Sequence, residues 1–317
     1  MHEMIHVSII ICTHNRASLL RQALLSLYEM DVPEDCAAEL IVADNASTDD
    51  TSSVIDEFSG RNKFHFKHIF ESRLGKTFAL NKAICSSSGD VIALIDDDHI
   101  ISNGYLKAVC KAVQESPSCN IFCGRVFPDW DGTEPQWVHD NDRYPIRPFP
   151  VPCFDLGHAE TEIEIERDGM FIPGAGNLVI RKELFQRIGY FSEQFGPRGH
   201  NLSGGEDIEF LRRALIKGER ILYVPDILQH HQVNQINFTM SYVVKKGYQR
   251  SMAAHRFLPP QESGGIPKYL FRQTAERFLK ALFSFDMNAR RYYLVRLAAV
   301  IGEIAGRCRP FKGNIQS

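Results

Sequence analysis

What this sequence lacks narrows it before any motif is read. It has no apolar stretch near the roughly 20 residues that a bilayer-spanning helix needs. The longest apolar run near its C-terminus, Leu297–Gly302, is closed by Arg296 and Glu303. The opening residues, MHEMIHVSIIICTHNR, lack the basic flank, the apolar length and the small-residue cleavage site of a secretory signal. No second cysteine pair accompanies Cys119 and Cys123 at zinc-site spacing. The other six, Cys12, Cys36, Cys85, Cys110, Cys153 and Cys308, are scattered, several inside apolar runs as core thiols are. A reducing, cytoplasmic setting is expected. Basic runs interleaved with aromatics are missing, which argues against a nucleic-acid partner. Internal repeats and low-complexity segments are missing too.

What is present is ordinary in bulk and uneven in detail. Apolar residues make up 44% and charged residues 24%, so a sizeable core is expected and disorder is not. Net charge is −3, but residues 238–317 hold fourteen Lys or Arg against four Asp or Glu, leaving 22 basic and 35 acidic residues before them. Such asymmetry suggests a basic surface for an anionic partner, or for an acidic face of the same chain.

The first 125 residues alternate two periodicities. VSIIIC (Val7–Cys12) is a β-branched strand, and Leu19, Leu20, Ala23, Leu24 and Leu27 follow at helical spacing. ELIVAD ends a second strand at Asp44, and Ser47 and Asp50 can cap a helix that buries Val54, Ile55 and Phe58. FHFKHI reads as a third strand; Leu80, Ala83 and Ile84 mark a helix, and Val91–Ile95 a fourth strand. Strands separated by helices imply βαβ units and a mostly parallel α/β sheet flanked by helices. Phe127–Gly169 lacks periodicity and is expected to form long loops. Strand-like MFIPGAGNLVIR follows, then a helix from Lys182, a glycine-rich loop, a helix from Asp207, and short strands around Ile221–Val224 and Leu228–His231. Beyond Phe238 the pattern is helical, broken at Pro259–Pro267. The expected division is a catalytic domain over 1–237, with halves 1–125 and 126–237, and a basic helical extension over 238–317.

Polar clusters fall where the strands stop: THNR after the first, DNASTDD after the second and, in VIALIDDDHI, three consecutive carboxylates after the fourth. In open parallel sheets ligands bind at these ends. A solvated turn is one reading of Asp96, Asp97 and Asp98. A hard divalent cation is another, since magnesium is commonly held by one or two carboxylates plus substrate phosphates.

VSIIICTHNR, VADNASTDDT, ESRLGKTFALNKA and GDVIALIDDD, in this order, resemble the motifs of the family 2 glycosyltransferases over roughly residues 5–232. The resemblance implies the Rossmann-like GT-A fold and an inverting, metal-dependent glycosyltransferase. Such an enzyme moves a hexose or N-acetylhexosamine from a nucleotide-diphosphate sugar, UDP-linked by expectation, to a hydroxyl of a glycan or lipid-linked acceptor, as in cell-envelope polysaccharide biosynthesis. It implies base and ribose contacts from Thr13, Asn15, Arg16 and Asp44, with Arg73 and Lys76 near base or diphosphate. Asp96 and Asp98 are the outer positions of a D-x-D motif for Mn2+ or Mg2+, and Asp97 is a donor contact. Gly174, Ala175 and Gly176 line the sugar pocket. In GGED, Asp207 is the general base, with Glu206 beside it; a carboxylate there also simply suits a helix N-terminus. A late histidine, His231 or His230, is a further metal ligand; adjacent strand residues face opposite ways, so at most one reaches the ion. His99 is given no role. The C-terminal basic helices allow peripheral contact with the inner face of an anionic membrane. A sugar nucleotidyltransferase is the rival enzyme, but CTHNRASLL offers no glycine loop for its phosphates. A catalytically silent carbohydrate-binding protein of the same fold is the other rival.

Overall fold

Along the first strand Val7, Ile9 and Ile11 enter one hydrophobic cluster and Ile10 enters another. That period of two places the strand inside a sheet covered on both faces. The computed structural model describes residues 4–140, 142–163, 173–174, 176–197, 204–256 and 266–308. Its elements run β1 (Ile5–Thr13), α1 (Ala17–Glu29), β2 (Cys36–Asp44), α2 (Thr51–Ser59), β3 (His65–Phe70), α3 (Lys76–Ser86) and β4 (Val91–Asp96). Then come β5 (His99–Ile101), α4 (Tyr105–Glu115), β6 (Ile121–Cys123), β7 (Val126–Asp129), β8 (Thr161–Glu162) and β9 (Asn177–Arg181). The last are α5 (Leu184–Ile188), α6 (Glu206–Ile216), β10 (Ile221–Tyr223), β11 (Gln229–Gln232), α7 (Met240–Arg256), α8 (Lys268–Phe283) and α9 (Met287–Cys308).

Eight strands form the main sheet in the order β3-β2-β1-β4-β9-β6-β10-β8. All run one way except β9 and β8, which pair antiparallel with their neighbours. Buried residues of α1, α2 and α4 pack with one face, through Leu20, Leu24, Val54, Phe58 and Leu106. Those of α3, α5 and α6 pack with the other, through Leu80, Ile84, Phe185 and Phe210. A second, three-stranded sheet has the order β5-β11-β7.

By contacts the chain forms two compact units. The first comprises Met1–Asp129, Cys153–Gly199 and Glu206–Gln232; the second comprises Trp130–Pro152, His200–Gly205 and Val233–Ser317. Within the second, Ile146, Val243 and Val295 form a small core, and the buried Lys246 donates to the carbonyls of Phe149 and Pro150 at 2.7 and 3.0 Å. In α9, Gly302 brings the helix against α7: a Cβ there would lie 2.2 Å from the Tyr248 carbonyl oxygen.

Three expectations need correction. Among the described residues of the strand-like stretch from Met170, Pro173, Gly174 and Gly176 lie outside the strand, which covers Asn177–Arg181. Pro has no N–H for a ladder, and Gly adds no side chain to a strand. The helix after it begins at Leu184, following a turn at Lys182. At α2 neither Ser47 nor Asp50 caps with its side chain. The carboxylate of Asp49 does that work, accepting from the Thr51 N–H at 3.1 Å and, on its other oxygen, from the Ala17 N–H at 3.0 Å. The expected break at Pro259–Pro267 lies mostly outside the described residues.

One buried charge stabilises the sheet. Glu39 on β2 accepts from the Ser8 hydroxyl and the Ser88 N–H, each at 2.5 Å, and pairs with Lys67 at 2.7 Å. Burial pushes its carboxyl up, but Lys67, Ser8 and Ser88 outweigh that and bring it from 4.5 down to about 2. The folded value lies below the unfolded one. Its stabilisation is therefore complete above about pH 4.5 and lost as pH falls toward about 2. Glu39→Gln is expected to lower stability at pH 7 by ~1–3 kcal/mol. The difference from wild type should shrink at pH 3, which denaturant unfolding at the two pH values measures.

Candidate active site

Because β1, β2 and β4 are parallel neighbours, their carboxyl ends lie on one edge of the sheet: Thr13 opposes Asp44, and Cys12 opposes Asp96. From β1 the chain winds outward to β3 with α1 and α2 on one face, then returns through α3 on the other to β4, on the far side of β1. The order reverses between β1 and β4, the place where such sheets receive ligands.

The loops at this edge are tied to each other. Asn15 adopts a left-handed φ of 53°, so its N–H donates to the Ser47 hydroxyl while its carbonyl side-chain oxygen accepts from the Thr48 N–H at 2.7 Å. Asp44 is buried and accepts from the Ser47 N–H at 2.9 Å. Asn45 donates to the carbonyls of Glu71 and Arg73 and accepts from the Gly75 N–H, holding the loop before α3. Arg73 is committed to Glu71 through two 3.1 Å bonds, and its guanidinium lies 4.4 Å from the centre of the Phe78 ring. Glu71 is held below the usual carboxylate range by those bonds.

The three consecutive carboxylates are met by two cations, Lys76 and Arg16. Asp96 meets Lys76 at 2.5 Å, and the same ammonium lies 3.9 Å from Glu206 of α6. Burial opposes the charge of both Lys76 and Asp96, but their attraction prevails, raising the lysine and lowering the aspartate. Asp97 is buried and accepts from Arg16 at 2.8 Å. Burial nevertheless pushes Asp97 up, with help from Asp98 next to it. Arg16 also reaches Asp98, at 3.0 Å.

Asp98 has two further neighbours, supplied by the small sheet. His99 on β5 and His231 on β11 are directly opposed in the antiparallel ladder, so both rings stand on one face, 5.1 Å apart. Their Nε2 atoms lie 3.9 and 3.5 Å from the Asp98 carboxylate. Burial works against its ionisation, but His231, Arg16 and His99 keep Asp98 well below the usual carboxylate range. His230, one residue away, turns to the other face and lies by the Phe127 ring.

The outward nitrogens fix the tautomers. The side-chain amide of Gln229 donates to Asn177 at 2.8 Å, so its oxygen is left to accept, and His99 Nδ1, 2.5 Å away, must carry the proton. His231 Nδ1 faces the Gln232 carbonyl at 2.8 Å and is a donor for the same reason. With Nδ1 so engaged, each ring turns its Nε2 toward Asp98, the arrangement that outer hydrogen bonds create around a metal. One ligand atom from each of Asp98, His99 and His231 lies within 4.8 Å of the others. These donors suit Mn2+, which accepts imidazole as well as carboxylate.

Other expected residues are placed less centrally or are not placed. Gly176 is pressed against the site: a Cβ there would lie 2.3 Å from an Asp96 oxygen and 3.0 Å from the His99 ring. A Cβ on Gly174 would lie 3.7 Å from Asp207 Oδ2. Ala175 is outside the described residues. Asp207, in the first turn of α6, accepts from the Ile208 N–H at 2.8 Å through its other oxygen. In the second unit Trp137 lines a hollow of about 450 Å3 with Gln136, His139, Asp140 and Asn288. His99, Gln229 and Asn177 received no role from the sequence. The signal available was the position of His99 directly behind the aspartates, which does not tell which way a strand residue points.

Comparison with known proteins agrees with this fold. The family model described as "Glycosyl transferase family 2" matches residues 8–189. The succinoglycan biosynthesis protein ExoM of Rhizobium meliloti is 24% identical over 83% of this chain and 78% of its own length. The glucosyl-dolichyl phosphate glucuronosyltransferase of Haloferax volcanii is 20% identical over 83% of this chain and 82% of its own. Among solved structures, the mannosyltransferase PcManGT of Pyrobaculum calidifontis, in complex with GDP-Man and Mn2+, aligns at a TM-score of 0.56 and 18% identity, covering 96% of this chain and 88% of that one. Residues 1–349 of S. aureus TarS in complex with UDP-GlcNAc align at 0.55 and 16%, covering 94% and 90%.

Proposed function

The chain belongs to glycosyl transferase family 2 and is a glycosyltransferase; from that premise we propose that it inverts a hexosyl or N-acetylhexosaminyl group as it moves it from a UDP-linked donor to a hydroxyl of a glycan or lipid-linked acceptor. The observation carrying this reading is the convergence of Asp98, His99 and His231 beside Asp96 and Lys76, at the switch point of the sheet. Asp98, His99 and His231 would hold Mn2+ or Mg2+, with Asp96 alongside. When bound, the ion supplies positive charge that stabilises the departing diphosphate.

The chain's own groups do the rest. Thr13, Asn15 and Asp44 bind base and ribose at the tied loops, where a carboxylate can accept from a uracil N–H or a ribose hydroxyl. Arg16 orients Asp97 and Asp98 toward the donor. Lys76 and Arg73 supply cationic charge near the diphosphate. Gly174 and Gly176 keep side chains out of the space the sugar needs. Asp207 takes the proton from the acceptor hydroxyl as that oxygen attacks the anomeric carbon. The bond from that carbon to the diphosphate oxygen breaks, and the electron pair leaves with the nucleoside diphosphate. Its relatives, a succinoglycan biosynthesis protein and a glucosyl-dolichyl phosphate glucuronosyltransferase, support a glycan or lipid-linked acceptor of cell-envelope type. The buried free thiols of Cys36, Cys110, Cys119 and Cys123 suit a cytoplasmic setting.

A thermal-shift panel of UDP-, GDP- and dTDP-linked sugars, with and without Mn2+, tests the reading. A ligand at 100 times its Kd stabilises the native state by about 2.7 kcal/mol. One UDP-linked sugar is expected to give such a shift in the presence of Mn2+ and little without it. No shift from any nucleotide sugar, with or without metal, would overturn the proposal.

A further inference from the structure

Helix α8 has two apolar faces, and only one of them is used. Leu270, Thr274, Arg277 and Ala281 follow each other at helical spacing, and Leu270 and Ala281 are buried. This face meets α9: Arg277 donates to the Arg296 carbonyl at 3.1 Å, and the Tyr269 hydroxyl to Glu303 at 3.3 Å. Phe271, Ala275, Phe278, Leu279 and Leu282 follow a second stripe, rotated by about a quarter turn, and Phe283 and Phe285 extend it. Phe271, Phe278, Leu279, Leu282 and Phe283 are each more than half exposed, and Phe285 is wholly so. Scattered exposed apolar residues are normal; a contiguous row of phenylalanines and leucines along about 18 Å of one helix marks an interaction surface.

The rim of the stripe indicates what covers it. Residues 266–291 hold six Lys or Arg against two Asp or Glu. Lys268, Arg272 and Lys280 stand on α8 and Arg290 on α9, all exposed, and Lys280 is paired with Glu276 at 2.6 Å. Two copies of this chain pairing stripe to stripe would set these cations against each other. Anionic headgroups would neutralise them instead, while the phenylalanines enter the acyl boundary; apolar face, basic rim and moderate hydropathy are the properties of a helix that lies in the plane of a membrane. Among the described residues no helix is long and apolar enough to cross one. We infer that the face of α8 from Phe271 to Phe283, with Phe285 just beyond the helix, docks the protein, peripherally, on an anionic lipid bilayer. This rests on the exposed face and its rim, independently of which sugar is transferred.

Flotation of the full chain with vesicles of phosphatidylcholine alone, or mixed with phosphatidylglycerol, tests the assignment at low and at physiological salt. Wild-type protein is expected to float with the mixed vesicles and to recover poorly with phosphatidylcholine alone. Phe278→Glu combined with Leu282→Glu is expected to abolish recovery. Arg272→Glu combined with Arg290→Glu is expected to reduce partitioning by at least about tenfold. All four side chains are exposed, so both variants should keep the wild-type melting temperature and nucleotide-sugar response. Equal recovery of wild type and the Phe278/Leu282 variant, or none for either, overturns the inference. So does a concentration-dependent dimer in sedimentation that the same variant disperses without any vesicle binding, since a second copy would then be the occupant.

Discussion

Asp207→Asn is expected to lower turnover by ~10²–10⁴ while leaving donor affinity close to wild type. The substitution is nearly isosteric, and the asparagine oxygen can still accept from the Ile208 N–H, so the first turn of α6 keeps its geometry. The carboxylate's charge and its capacity to take a proton are removed. Its neighbours in that turn have other partners: Glu206 faces Lys76, and Glu209 pairs with Arg213 at 2.6 Å. The measurement is nucleoside diphosphate release from the donor identified by thermal shift, with the shift itself recorded for the variant. A strong loss in Glu206→Gln and a mild one in Asp207→Asn would transfer the role to Glu206. Loss of the nucleotide-sugar shift in Asp207→Asn would mean that the residue binds donor.

The second large effect concerns the cation. Asp98→Ala, His99→Ala and His231→Ala should each weaken Mn2+ binding by at least about 10²-fold, and His230→Ala should leave it unchanged, because His230 lies on the opposite face by Phe127. The sharper test is Gln229→Leu. Gln229 never approaches Asp98 in the structure's hydrogen bonds; it holds His99 through Nδ1. Replacing it frees the ring to turn or to move its proton to Nε2, and metal affinity should fall by ~10–100-fold. Titration calorimetry with Mn2+, in the presence of the nucleoside diphosphate, reads this directly without turnover. Wild-type affinity in both His99→Ala and Gln229→Leu would return the ion to Asp96 and Asp98 alone.

The doubly wound half of the fold was legible in the sequence for a plain reason. Strands of six to nine residues and helices of nine to thirteen are long enough to display a period, and β1 through β4 with their three helices do so. Their ends coincide with the polar clusters, so Asp44, Asp96, Asp97 and Asp98 could be singled out. What was not legible depends on pairing over long distances. β5 and β6 have three residues each, too few for any period, and β5 exists because β11 lies beside it. The facing of His99 toward Asp98 therefore depended on a partner 132 positions later in the chain. Trp130–Pro152 read as irregular loop; Ile146 within it forms a core with Val243 and Val295. Helix α4 was readable in principle, since Leu106, Val109, Cys110 and Val113 follow helical spacing and are buried.

The His99–His231 pairing also makes the site sensitive to parity. Side chains alternate along β11, so shifting that strand by an odd number of positions against β5 would offer His230 to Asp98 and withdraw His231, and Gln229 would leave His99. An even shift would restore the facing but move the imidazole along the ladder by two residues. Single-residue insertions or deletions between Tyr223 and Gln229 therefore threaten this facing as well as the buried Val224 and Ile227, whereas those in the Trp130–Pro152 segment leave this alignment untouched.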